Sequence, residues 1–328
     1  MFRSEGEFVG WLQQRLARPS RNVPVGIGDD AAVVRASASH DLILTADFSI
    51  ESVHFSRRIH PARSVGHRAL ARSLSDIAAM GGKPRFALVS LALSNRLSRG
   101  WVEEFYAGLA SLADRYGVAV IGGDTSVAAG AAADVTVLGE VCRGGALLRS
   151  GARPGDLIFV SGRLGLAELG FQLLKSRPLA GSQRLNRKDR AEAIRSHLYP
   201  EPQCALGQFL SRNRLASAAM DLSDGLALDL SRLARASAVG ARIVEEQIPG
   251  PEMVPAEVAR RLALSGGEDY QLLFTVPPAK AKRLPRAFRG VALQPIGQMT
   301  TTNKLTLVGL DGGEIPLEPA GYDHFKRK

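Results

Sequence analysis

The sequence predicts a mixed α/β protein of two domains. Three observations carry that expectation. Apolar runs of strand length alternate with stretches of helical period. The 328 residues exceed what one hydrophobic core usually supports. A turn-rich connector, Ser-Gly-Ala-Arg-Pro-Gly-Asp at 150–156, falls near the middle. The division it implies is 1–148 and 149–328. No Gly-x-Gly-x-x-Gly follows the first strand, as a dinucleotide-binding fold would require.

Phe8, Trp11, Leu12 and Leu16 recur at helical spacing and predict a short opening helix before a turn region at 24–30. Residues 41–45 read as a strand that delivers Asp47 at its end. Ala69, Leu70, Leu74, Ile77 and Ala78 share one face of a helix that runs to Met80 and is stopped by Gly81, Gly82 and Pro84, so Asp76 rides near its C-terminal end. A strand is expected at 86–93, then a helix striped by Trp101, Val102, Phe105, Leu109 and Leu112. The next strand, 118–121, empties into Gly122, Gly123 and Asp124, and 134–141 alternates as another.

The second half opens with a strand at 157–161 and a helix at 164–175, followed by a polar stretch, 177–195, that reads as a loop. Residues 221–225 (Asp-Leu-Ser-Asp-Gly) precede a helix carrying Leu226, Leu230, Leu233 and Ala234. Ser223 or Asp224 would cap that helix and turn its first N–H groups toward a phosphate. Strands at 241–244, 270–276, 291–296 and 305–308 complete the pattern. Leu-Ser-Asp in both halves, and Gly-Gly-Asp echoed by Gly-Gly-Glu-Asp at 266–269, hint at an internal duplication.

With 45% hydrophobic and 23% charged residues the composition is that of an ordinary globular protein. A net charge of +10 suits nucleic acid, a membrane surface or small polyanions such as nucleotides. The Lys and Arg residues are dispersed, however, without the aromatic interleaving of an RNA-binding sheet, so no nucleic-acid partner is expected. Cys142 and Cys204 stand alone, which indicates neither a disulfide framework nor a zinc site. No apolar run approaches the ~20 residues that span a bilayer, so no membrane partner and a cytoplasmic location are expected.

The chemistry resides in short Asp-bearing segments: Gly-Ile-Gly-Asp-Asp (26–30), Thr-Ala-Asp (45–47), Leu-Ser-Asp (74–76), Gly-Gly-Asp-Thr (122–125) and Asp-Leu-Ser-Asp-Gly (221–225). A single such loop is ordinarily a turn or a helix cap. Five of them, mostly where an apolar element ends, suit a convergent site, and crowded carboxylates need a compensating cation. Magnesium, with substrate phosphates, is the ion that such a set accommodates. Gly-x-x-x-x-Gly-Lys-Ser/Thr, His-Arg-Asp with Asp-Phe-Gly, and Gly-x-Ser-x-Gly are all absent, which excludes P-loop, protein-kinase and serine-hydrolase sites.

In order along the chain, these loops, Leu-Arg-Ser-Gly-Ala-Arg-Pro-Gly-Asp (148–156), Ser-Gly-Gly-Glu-Asp-Tyr (265–270) and Gly-Tyr-Asp-His-Phe (321–325) resemble the thiamine-monophosphate kinase family over about residues 5–325. The resemblance implies ATP-dependent phosphorylation of thiamine monophosphate to thiamine diphosphate. It implies the two-domain fold shared with aminoimidazole ribonucleotide synthetase and selenophosphate synthetase, with the N-terminal domain forming the sheet of a homodimer. It further implies that Asp30, Thr45, Ala46, Asp47, Asp76, Asp124, Asp221 and Asp224 hold magnesium ions, with Asp47, Asp76 and Asp124 acting in catalysis through the metal. Tyr106, Gly123, Asp124, Arg149 and Ser223 would contact ATP, and His54, Glu268 and Tyr322 the thiamine substrate.

Ala46 departs from the Thr or Ser that family members commonly carry before the Asp at 47. Selenophosphate synthetase would require a reactive Cys near the N-terminus, whereas the first cysteine is Cys142; a hydrogenase-maturation relative would require a C-terminal Cys. An acceptor phosphate monoester has a second pKa of about 6 and is largely ionised at neutral pH, so direct in-line transfer needs no general base. The obstacle is repulsion between two anions.

Overall fold

Alternating apolar residues in the first half build a five-stranded sheet in the computed structural model, which describes residues 24–25, 28–35, 37–176, 179–180, 185–323 and 325, together with Glu7 and Gly10. In chain order the elements are β1 (Ala32–Arg35), β2 (His40–Ile50), α1 (Ala62–Ala79), β3 (Lys83–Leu93), α2 (Arg99–Tyr116), β4 (Ala119–Val127) and β5 (Ala132–Cys142), with the sheet ordered β1-β2-β5-β3-β4. The opening helix expected around Phe8, Trp11, Leu12 and Leu16 lies outside the described residues. Ile43, Val89, Val135 and Val137 face the core, where α1 and α2 pack. The opposite face exposes Phe48, Ile50, Phe86 and Leu88.

In the first sheet three strands outrun their expected limits by three residues or more at one end. β2 pairs with β5 over its whole length, so Asp47 lies within the strand instead of at its end. β4 continues through the Gly-Gly-Asp motif, because Gly123 and Asp124 pair with Val89 and Ser90 of β3. Pro84 enters β3 without cost to the ladder on its outer side, since β4 begins only opposite Phe86.

The second half supplies β6 (Leu157–Ser161), α3 (Leu166–Leu174), α4 (Arg187–Leu198), α5 (Cys204–Arg212), β7 (Ala218–Leu222), α6 (Leu226–Ala236), β8 (Gly240–Val244), α7 (Ala256–Ser265), β9 (Gln271–Val276), α8 (Pro278–Ala281), β10 (Ala287–Phe288), β11 (Val291–Thr300), β12 (Leu305–Val308) and β13 (Glu314–Pro316). The second sheet runs β13-β12-β8-β11-β6-β9-β7, with β10 against β11. The polar stretch expected as a loop contains α4. Asn186 accepts the Asp189 N–H at 2.9 Å as its N-cap, and only Ala193, His197 and Leu198 are buried, so a narrow apolar stripe hid the period.

One core joins Leu70, Leu74 and Val135 of the first half to Phe159, Leu206, Leu210 and Phe274 of the second. Ile158, Met220, Leu230 and Ile243 form another on the far side of the second sheet. Buried on nearly every side, α1 is the shared central element, in contact with β2, β5, α5 and β7.

Candidate active site

The acidic site forms where α1 and the carboxyl end of β7 meet the Asp29–Asp30 turn. Carboxylate oxygens of Asp30, Asp76 and Asp221 lie within 4.8 Å of one another, a spacing that one cation could bridge. Burial, then the charges of Asp47, Asp221 and Asp30, pushes the Asp76 carboxyl well above its ordinary range. Asp221 is raised in the same way by burial, Asp30 and Asp229. Three sequestered carboxylates that disfavour one another's charge form a donor set that fits a hard divalent cation.

The first sheet orients this group. Thr45 and Asp47 point to the α1 side of β2, and Thr45 Oγ1 donates to Asp76 Oδ2 at 2.5 Å. Ala46 points to the opposite, exposed face, so the departure from the family pattern adds no side chain to the Asp76 side. Arg149 forks onto Asp30 with two hydrogen bonds of 2.9 Å, and its backbone N–H reaches Asp29 Oδ2 at 3.2 Å. Asp29, pushed up to about 6 by burial and by Asp30, was not singled out in the sequence.

On the other side the loop after β7 is stitched to the loop before β9. Glu268 N–H donates to Ser223 O at 2.8 Å, and Tyr270 N–H to Leu222 O at 2.9 Å. Gly267 permits the approach, because a Cβ there would stand 2.6 Å from Ser223 O. The cap expected from Ser223 or Asp224 is replaced: Gly225 precedes α6, and Asp229 in its first turn reaches back to the N–H groups of Ser223 (3.1 Å) and Asp224 (3.0 Å). Asp224 is instead paired with Arg232 at 2.5 Å. The two Leu-Ser-Asp echoes occupy unlike settings, within a helix at 74–76 and at and just past the end of a strand at 222–224, so this motif does not mark equivalent elements in the two halves.

The expected thiamine contacts gather around α1. Arg68 donates to Glu268 Oε1 at 2.5 Å and to the His54 carbonyl at 3.4 Å. Tyr322 joins from the C-terminal segment, its N–H donating to Asp224 O at 3.2 Å. Despite burial, Arg68, His197 and Arg72 hold the Glu268 carboxyl down at about 2, and its backbone is left-handed at φ 69°. His197 Nε2 lies 2.9 Å from Nε2 of His60, and His197 Nδ1 lies 3.5 Å from Glu268 Oε2. His60, Arg68, Arg72, His197 and Asp229 lay outside the acidic motifs, and nothing in their spacing announces a site.

Three expected nucleotide contacts do not join the carboxylate group. Tyr106 stands on α2 with its ring edge-on to Phe105. Gly123 and Asp124 lie on the edge strand β4, where the register sets Asp124 in one row with Ser90, Asp134 and Phe48, on the exposed face.

Two α/β domains of this topology, meeting at a carboxylate site, define the class: residues 28–141 match the family AIR synthase related protein, N-terminal domain, and residues 153–309 its C-terminal domain. Within that class the chain belongs to the thiamine-monophosphate kinase family. It is 39% identical to thiamine-monophosphate kinase of Escherichia coli strain K12 over 98% of both chains, and 37% identical to that of Bacillus subtilis strain 168 over 93% of this chain and 94% of the relative. It is also similar to the solved structure of AaThiL complexed with AMPPCP and TMP, with 32% identity and a TM-score of 0.82 over 98% of this chain and 97% of that one. The ATP complex of the hydrogenase maturation protein HypE, at 19% identity and a TM-score of 0.69 over 90% of this chain and 89% of that one, shares the fold.

Proposed function

We propose that this protein transfers the γ-phosphoryl group of ATP to thiamine monophosphate, giving thiamine diphosphate. One observation carries the reading: Asp30, Asp76 and Asp221, from three separate motifs, converge within 4.8 Å of one another in a chain of the thiamine-monophosphate kinase family, while Arg72, one helical turn before Asp76, lies among Glu268 and Tyr322. Residues 1–148 supply most of the acidic face, and 149–328 cover it and contribute Asp221, Glu268 and Tyr322.

Magnesium, held by Asp30, Asp76 and Asp221 with Thr45 and Asp47 adjoining, would supply the positive charge that lets two anions approach. Arg149 stands ready as a fork for nucleotide oxygens once Asp30 engages the metal. Glu268, gripped by Arg68, offers a carboxylate to the cationic thiamine portion. With the acceptor already ionised, the residues position and neutralise, and transfer proceeds in line without a phosphoenzyme.

The exposed apolar face of the first sheet, with Phe48 59% and Phe86 42% exposed, supports a homodimer joined there. A cytoplasmic location, where ATP is drawn, belongs to the same proposal; among the described residues no helix is long and apolar enough to cross a membrane.

The test is magnesium-dependent ADP release with thiamine monophosphate, thiamine, an aminoimidazole ribonucleotide precursor and selenide as acceptors. Turnover confined to thiamine monophosphate, with inversion at the transferred phosphorus, is the expected result. Preference for another acceptor overturns the substrate, and net retention overturns direct transfer.

A further inference from the structure

Four guanidinium groups stand around the acidic site among the described residues, and three are engaged. Arg68 donates to Glu268 Oε1 and to the carbonyls of His54 and His197. Arg149 is forked onto Asp30. Arg232 donates to Asp224 Oδ2 at 2.5 Å and Asp229 Oδ1 at 3.0 Å.

Arg72 differs. Its nearest acidic oxygens lie 3.8 Å away on Glu268 and 3.9 Å away on Asp47, beyond hydrogen-bond length. Nε is buried without a hydrogen-bond partner, and the side chain is only 17% exposed. Carboxylates 3.8–3.9 Å away balance its charge, but leaving a buried donor without a hydrogen bond is costly, and an arriving anionic oxygen would satisfy it.

The position of Arg72 says what that partner is. Arg68, Arg72 and Asp76 follow one another at four-residue spacing on one face of α1, so Arg72 stands one turn from the metal-fit carboxylates and one turn from the residue gripping Glu268. A guanidinium offers five donors in a rigid fork that matches phosphate oxygens.

We propose that Arg72 binds the phosphate of the acceptor substrate, holding its anionic oxygens between the metal-fit carboxylates and the Glu268 end of the site. The assignment deepens the proposed function and rests on it. Arg72 thereby becomes the residue by which the site distinguishes a phosphate ester from the free alcohol. A guanidinium that only balanced Asp47 and Glu268 would make no such distinction.

Titration calorimetry of the full-length protein in magnesium buffer without ATP separates these roles, using thiamine monophosphate and thiamine as ligands. In Arg72→Gln the affinity for thiamine monophosphate should fall about tenfold or more, while that for thiamine changes less than about twofold; Arg72→Lys should lie between. Equal losses for both ligands, or an unchanged preference for the phosphate ester, overturn the assignment alone. A wild-type protein with no preference for the ester overturns the functional reading, and this assignment with it. Should Arg72→Gln show no cooperative thermal transition, Arg72→Lys carries the same comparison.

Discussion

Thr45 donates a 2.5 Å hydrogen bond to Asp76, tying the middle of β2 to the end of the central helix. The bond holds one carboxylate of the acidic group in place while burial and three neighbouring aspartates oppose its charge. That carboxylate is therefore oriented before any ligand arrives, against the repulsion of its neighbours.

Asp76→Asn should separate stability from function. The amide keeps an acceptor for Thr45 but removes a buried charge, so in EDTA the variant should be more stable by about 1 kcal/mol or more. Magnesium-dependent turnover should fall at least ~10²-fold. Thermal unfolding in EDTA beside initial rates checks both, and a less stable variant contradicts the repulsion.

His197→Gln should change the acid limb of stability. Burial and Arg68 hold His197 down at about 3, so its folded value lies below the ordinary 6.5. Stability from the neutral ring is present above 6.5 and is lost as pH falls toward the folded value. Glutamine takes up no proton. Whatever deficit the variant shows at pH 8 should therefore shrink by about 2 kcal/mol on going to pH 5. Chemical denaturation at the two pH values measures it, and a constant gap rules it out.

Gly123→Ala should dislodge the edge strand. Gly123 has φ 149°, and a Cβ there would lie 1.9 Å from the Val89 carbonyl oxygen, so β3 and β4 could not keep their spacing. A loss of more than about 2 kcal/mol is expected from equilibrium unfolding. Wild-type stability would mean that β4 is not paired through Gly123.

Phe48→Glu tests the dimer. Placed on the exposed apolar face of the first sheet, the charge should leave the monomer's fold intact, because Phe48 is 59% exposed. Sedimentation should show a dimer for the parent and a monomer for the variant. A variant that stays dimeric places the interface elsewhere.

Much of the architecture was legible because the apolar periods of α1, α2, α6 and most strands are strong local signals. Asp76 was correctly set near the end of a helix for that reason. The ends of β2 and β4 were not legible, since pairing partners extend a strand past the point where its own pattern fades. α4 was hidden by its polarity, and its Asn186 cap was legible only in hindsight. In the site, Asp30, Asp76 and Asp221 carried motif signals, whereas Arg72 and His197 sit in stretches with none.

The sequence by itself determined the two-domain α/β plan, the family and the inventory of acidic loops, because hydrophobic period and short-range motifs are properties of neighbouring residues. Only the tertiary structure decided which carboxylates share a point, that Arg149 is forked onto Asp30, and that Asp124 lies on the exposed face. It alone brought Arg68 to Glu268, 200 positions away, and left Arg72 with an unclaimed donor. Coulomb energy and hydrogen bonding depend on distance through space, and that distance is set by how α1 is clasped between two sheets.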